Sequence, residues 1–259
     1  MTTLEIRPET TSRGRPPLVL RWGKDHAPLP VRTVRLPANG RRRTAGLESP
    51  SWLETGPLDR PFDFCAHVRA LCNDLVPRTP ELAHIDPSRL LFGMTQARSG
   101  RYHGLQARVT PLRCLRGELV RERRGVCYQV QRYFVDGREM LYLVTFYLPR
   151  FLDQTFEEKF ITLFHELYHI SPEFDGDLRR HGGRYDLHSH SKKAYDAHMA
   201  RLARSYLSRC TDARLHHFLR LDFAQLQHKH GGVESVLVPR PKLVPLSRGA
   251  VAPSAASHG

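Results

Sequence analysis

The side chains best suited to chemistry are the histidines and the glutamate of the segment His165-Glu166-Leu167-Tyr168-His169. On a helix, residues four apart lie one turn above each other, so both imidazoles can reach one metal ion. Zinc accepts two histidine nitrogens at about 2.0–2.1 Å and keeps room for a third ligand and a water. The sequence therefore predicts a zinc site with His165 and His169 as ligands.

Glu166 has a different predicted role in the same segment. It is turned about 100° around the helix from its neighbour, so its carboxylate can approach a water on the ion without ligating the ion. The ion lowers the pKa of that water toward about 7, and the carboxylate can then take the proton during attack on a peptide carbonyl. Glu166 is thus the predicted general base of a peptide-hydrolysing site.

A third ligand is expected downstream, where three more histidines occur within a short stretch. A ligand at the start of the next helix would be held by the packing of that helix against the first. His190 lies directly before the predicted helix and fits best, and His188 is the alternative. His181 lies in a glycine-rich stretch and is expected to be outside the ligand set.

Two predicted helices must position these residues. The motif helix begins at a capping box formed by Thr155 and Glu158, carries one apolar face, and ends before Pro172. The second helix begins near Ser191. Its apolar face consists of Tyr195, Met199, Leu202 and Tyr206.

A further helix and several strands are predicted around this pair. The helix runs from Asp63 to about Leu75. Apolar patterns predict short strands at 90–94 and 105–109, and a last strand at 233–238.

The strongest hairpin signal is Asp136-Gly137, since both residues tolerate the positive φ of a type I′ turn. The predicted arms are 126–131 and 140–148. The second arm is apolar on both faces, which indicates an interior strand.

Composition divides the chain into three predicted regions. Residues 1–58 are rich in Pro, Gly, Thr and Arg, which predicts a basic, disordered region, although 17–22 is a candidate strand or docking segment. Residues 59–239 form the predicted folded domain, and 240–259 form a second disordered tail. Because no membrane-spanning stretch and no secretory signal are visible, the expected location is cytoplasmic, with no membrane partner.

The motif and the residues after it resemble the phage-type metallopeptidases, relatives of the SprT-like zincins. The resemblance covers roughly residues 60–210. The matching segments are His165-Glu166-Leu167-Tyr168-His169-Ile170, Asp175-Gly176-Asp177-Leu178-Arg179-Arg180-His181 and His190-Ser191-Lys192-Lys193-Ala194-Tyr195-Asp196.

This resemblance implies an α+β, zincin-like fold, in which a small, mostly antiparallel sheet precedes the motif helix and a second packed helix. It implies that His165, His169 and His190 bind zinc, and that Glu166 is the catalytic base acting on a protein or peptide substrate. Two departures are visible. The Cys-rich zinc ribbon of some SprT-like proteins is missing, and the spacing to the last ligand is longer than in many relatives.

Two rival zincin layouts are less compatible with the sequence. Metzincins place a His or Asp where Asp175 lies, but Pro172 replaces the glycine that their turn requires. Gluzincins take a glutamate from the second helix, and the predicted helix from 191 to about 209 offers only Asp196 as an acid.

The charge leaves a second interpretation open. The chain of 259 residues has 40 Lys and Arg against 26 Asp and Glu, a net charge of +14. This excess is typical of proteins that bind DNA or another polyanion, and also of a generally basic surface. The alternative to a peptidase is a nucleic-acid-associated protein with a structural or inactive zinc site. A SprT-like protease acting on DNA-bound proteins would combine both.

Overall fold

Parts of the two predicted tails, together with His181, His188 and His190, lie outside the portion of the chain that the structure describes. The computed structural model describes residues 18–23, 28–29, 52–97, 104–180, 192–209 and 212–245.

The described residues form four α-helices and several small sheets, which is a mixed α+β architecture. None of these helices is long and apolar enough to cross a membrane. The helices are α1 (Phe64–Leu75), α2 (Phe156–Tyr168), α3 (Lys192–Arg209) and α4 (Phe223–His230). The strands are β1 (Leu18–Gly23), β2 (Pro28–Leu29), β3 (Phe62–Asp63), β4 (Leu90–Gln96), β5 (Ala107–Pro111), β6 (Val120–Arg123), β7 (Val126–Val130), β8 (Tyr133–Val135), β9 (Arg138–Met140), β10 (Tyr142–Leu148), β11 (Gly232–Leu237) and β12 (Leu243–Pro245).

The three helices predicted around the motif are confirmed. Asp63 caps α1 by accepting a hydrogen bond from the Ala66 N–H at 3.0 Å. The predicted apolar face of α3 is buried against α2 and the rest of the core. Its members are Tyr195, Met199, Leu202 and Tyr206, each at most 6% exposed.

The central sheet has the order β4-β10-β5. β10 is its interior strand, as its apolar residues on both faces predicted, and it pairs parallel with β4 and antiparallel with β5. One face of this sheet packs against the helices in the main core. The other face packs against the β8–β9 hairpin and the end of β11 in a smaller core. β5 therefore forms one edge of the central sheet, next to the helix layer.

The hairpin prediction is correct at its turn and wrong in its arms. Asp136 and Gly137 both have positive φ, 50° and 76°. The turn, however, joins only β8 and β9. The predicted first arm, β7, pairs with β6 and β12 instead. Because β10 is apolar on both faces, it buries more surface between β4 and β5 than it would in a two-stranded ribbon.

The N-terminal region contributes to the packed structure. The candidate strand at 17–22 is present as β1, which pairs antiparallel with β11. Leu53 is 3% exposed and belongs to the main core. Packed residues thus occur on the N-terminal side of residue 59.

Candidate active site

The motif residues lie on α2, whose start is fixed by its sequence. Thr155 Oγ1 accepts a hydrogen bond from the Glu158 N–H at 3.3 Å, and Glu158 Oε2 accepts one from the Thr155 N–H at 2.8 Å. These bonds confirm the predicted capping box. The apolar face of α2 is buried, with each of its residues at most 1% exposed; they are Phe160, Leu163, Phe164 and Leu167.

A buried lysine also fixes α2 in place. The Lys159 ammonium donates hydrogen bonds to the carbonyl oxygens of Leu219 and Leu221, at 2.9 and 2.7 Å. Burial lowers the pKa of Lys159 to about 8. These bonds hold the first half of α2 against the segment before α4. They thereby also fix the position of the second half of the helix, which carries the motif.

His165 and His169 approach each other from successive turns of α2. Their Nε2 atoms are 2.9 Å apart, and their ring centroids are 4.6 Å apart. His169 is the C-cap residue of the helix and is 8% exposed. The two ring nitrogens thus converge on one small volume, as ligands of a shared ion must.

Glu166 is 9% exposed and contacts β5. Its Oε2 accepts a hydrogen bond from the Val109 N–H at 2.6 Å. Burial raises the pKa of Glu166 to about 7, although the Val109 N–H and the nearby Arg108 cation act in the opposite direction. The carboxylate is therefore held against the edge strand, one residue along the helix from His165.

The outer edge of β5 faces this carboxylate. On the inner side, the Gln106 carbonyl accepts a hydrogen bond from the Tyr147 N–H of β10 at 2.8 Å. The Leu112 N–H donates to the carbonyl of Leu141, directly before β10, at 3.0 Å. Because backbone polar groups alternate between the two sides of a strand, those of Ala107 and Val109 point outward. No described strand pairs with this edge. An extended peptide can therefore add to the sheet beside Glu166 through Ala107 and the Val109 carbonyl, because the Val109 N–H donates to Glu166.

Tyr195, predicted only as a member of the apolar face of α3, also lies against the histidine pair. Its ring centroid lies 4.9 Å from that of His165 and 5.9 Å from that of His169, stacked on the latter at 23°. Tyr195 is 5% exposed, and burial raises the pKa of its hydroxyl group. Its ring contacts both imidazoles and so limits their rotation. The spacing within α3 gives no signal that separates this tyrosine from an ordinary core residue.

We expect Tyr195→Ala to weaken zinc binding about tenfold, the lower end of the effect of residues that orient metal ligands. Tyr195→Phe keeps the ring and should bind zinc like the wild type. Competition with a chromophoric chelator measures both affinities. Equal zinc affinities in the alanine variant and the wild type would show that the ring does not position the histidines.

The chain after α2 holds the end of the motif helix. Arg179 donates from its backbone N–H to the His169 carbonyl at 2.7 Å and from its Nε to the Tyr168 carbonyl at 2.8 Å. Its guanidinium group also lies 4.1 Å from the centre of the Tyr168 ring. These contacts satisfy carbonyl groups at the helix end that have no partner within α2.

Residues 65–207 match the model of a protein family described as "Putative phage metallopeptidase". This match covers more than half of the 259 residues and contains the whole of α2. The chain belongs to this family. The resemblance to the phage-type metallopeptidases is thereby confirmed. Searches among curated proteins and among solved structures gave no significant match.

Membership of a metallopeptidase family implies a metal ion, and the described residues are suitable for one. Imidazole nitrogens are preferred ligands of zinc, and the Nε2 atoms of His165 and His169 converge to 2.9 Å. Glu166 follows His165 on the same helix, but its carboxylate accepts a hydrogen bond from the Val109 N–H of β5. The arrangement offers two nitrogen donors together with a separate carboxylate.

Within the described ranges, no group of three or more His, Cys, Asp or Glu side chains is placed to hold a metal ion. The third ligands of the two rival layouts, Asp175 and Asp196, therefore do not join the histidine pair there. The Asp175 carboxylate instead accepts a hydrogen bond from the Asp177 N–H at 3.0 Å.

The predicted third ligand, His190, and its alternative, His188, lie outside the described residues. His190 precedes the first residue of α3, Lys192, by two positions. α3 is also the helix that brings Tyr195 to the histidine pair. A ligand at the N-terminal end of α3 therefore remains our prediction.

Proposed function

We propose that this chain is a zinc-dependent endopeptidase with a zincin-like active site, related to the SprT-like zincins and acting in the cytoplasm. The observation that carries the proposal is the convergence of His165 and His169 on α2, with Glu166 held next to them against the edge of β5. In this proposal His165, His169 and His190 hold the zinc ion, and Glu166 is the general base.

The ion, when bound, polarises the peptide carbonyl and makes a water molecule more acidic. Glu166 accepts the proton of the attacking water and then donates it to the amine nitrogen as the peptide C–N bond breaks. The outward backbone groups of Ala107 and the outward carbonyl of Val109 align the substrate as an added strand, whereas the Val109 N–H stays bonded to Glu166. Such pairing uses backbone groups common to all peptides, so it favours extended substrates over any particular sequence.

Metal content tests the proposed ligand set. We expect about one zinc ion per wild-type chain, the stoichiometry of a single catalytic site. His190→Ala should lose most of this zinc, whereas His188→Ala should retain it. Elemental analysis after dialysis against a zinc-containing buffer gives the ratio of metal to protein. Loss of zinc in His188→Ala alone would make His188 the third ligand, and a wild type that takes up no zinc would overturn the proposal.

A further inference from the structure

The three-stranded sheet β12-β7-β6, which is separate from the central sheet, carries arginines on one face. In this sheet Arg121 pairs with Tyr128, and Arg123 pairs with Val126. Paired residues and residues two apart project from the same face of a sheet. We call this face the arginine face. Its residues are Arg121, Arg123, Val126, Tyr128, Val130, Leu243 and Pro245.

The arginine face is exposed and positively charged. Arg121 and Arg123 are exposed, and neither forms an ion pair with another described residue. Glu122 lies between them in the sequence and therefore projects from the opposite face. The turn that follows, Arg124-Gly125, has φ values of 55° and 72° and adds a third exposed arginine at the tip.

Apolar and aromatic side chains accompany these cations. Val126 is 38% exposed and Leu243 is 37% exposed. Tyr128 is partly exposed and lies directly across from Arg121 in the register. Neither of the two hydrophobic cores includes a residue of the arginine face. The surface thus combines exposed guanidinium groups, without an ion-pair partner among the described residues, with an aromatic ring on one open sheet.

These properties fit a single nucleic-acid strand. Guanidinium groups bind phosphates, and a tyrosine ring on an open sheet can stack on a base, which is accessible only where the base is unpaired. Cross-strand neighbours lie roughly 5 Å apart, close enough for one nucleotide to contact Arg121 and Tyr128 together. The net charge of +14 adds a long-range attraction for any polyanion.

We propose that the arginine face binds single-stranded nucleic acid, with Arg121 and Arg123 on phosphates and Tyr128 against a base. This function is independent of the proposed peptidase chemistry, since none of its residues belongs to the histidine pair or to β5.

The test measures binding of a fluorescent oligothymidylate to the full chain by anisotropy, from about 50 to 200 mM salt. Arg121→Gln/Arg123→Gln should weaken binding about tenfold or more. It should also reduce the slope of log K against log salt by about 1.4, because each phosphate contact on a single strand contributes about 0.7. Tyr128→Leu should weaken binding about tenfold by loss of stacking, with the slope unchanged.

The matched control is Arg69→Gln/Arg201→Gln, which removes the same charge from exposed positions on α1 and α3. Its affinity should remain within about twofold of wild type. An equal loss in both double variants would overturn the proposal, because binding would then follow net charge alone. Tighter binding of duplex DNA or polyglutamate than of oligothymidylate would overturn it as well. Cleavage of a short peptide by Arg121→Gln/Arg123→Gln should equal that of the wild type, which separates this proposal from the peptidase.

Discussion

Replacing Glu166 with glutamine should reduce peptide cleavage by about 10²–10⁴-fold, the range that general acid–base catalysis contributes. The amide of glutamine cannot take a proton from water at neutral pH, so the attacking nucleophile is no longer generated. The amide oxygen can still accept the hydrogen bond that Val109 donates to Glu166. The variant should therefore fold like the wild type and bind the same amount of zinc, because Glu166 is not one of the proposed ligands. The measurements are kcat/KM on a peptide substrate and metal content on the same preparation.

Glu157→Gln provides the control for this variant. Glu157 lies on the same helix and is 59% exposed, in a surface ion pair with Arg204. Removing its charge should leave cleavage within about twofold of wild type, since exposed pairs contribute little to stability. Glu166→Gln that cleaves peptides at the wild-type rate would exclude the proposed role of the carboxylate. Loss of both zinc and cleavage would mean that Glu166 supports the metal site itself.

The parts of the site that the sequence predicted are those encoded by local patterns. The position of α2 follows from its capping box and from the helical spacing of its apolar residues, and both operate within a few residues. The approach of His165 to His169 then follows from helix geometry alone, since residues four apart must be neighbours. Resemblance to a known family added the expected α+β class.

The remaining features depend on contacts between distant segments, so no local pattern predicted them. Tyr195 has the spacing of a core residue, and only the packing of α3 on α2 places its ring against the histidines. The contact between Val109 and Glu166 joins residues 57 positions apart. The arms of the hairpin were mispredicted for the same reason. A strand pattern shows which residues are apolar, but the choice of partner depends on the burial gained across the whole sheet.

Zinc should raise the melting temperature of the metal-free wild type, and His169→Ala should remove this effect. A ligand at 100 times its dissociation constant stabilises the folded state by about 2.7 kcal/mol. For a domain of roughly 150–250 residues this corresponds to an increase of roughly 5–11 °C. Without His169 only one imidazole of the pair remains on α2, so the same zinc concentration should give little or no shift. Thermal unfolding followed by circular dichroism, with and without zinc, measures this difference.

His198→Ala is the appropriate control because it removes a histidine from α3 near the site but outside the proposed ligand set. The ring centroids of His198 and Tyr168 are 5.4 Å apart, and the His198 Nδ1 is hydrogen-bonded to the Arg201 guanidinium group. This variant should keep the full zinc-dependent shift. A full shift in His169→Ala would place the zinc elsewhere, while loss of the shift in both variants would point to a general loss of packing between α2 and α3. Only loss confined to His169→Ala agrees with a metal ion held by the converging imidazoles of α2.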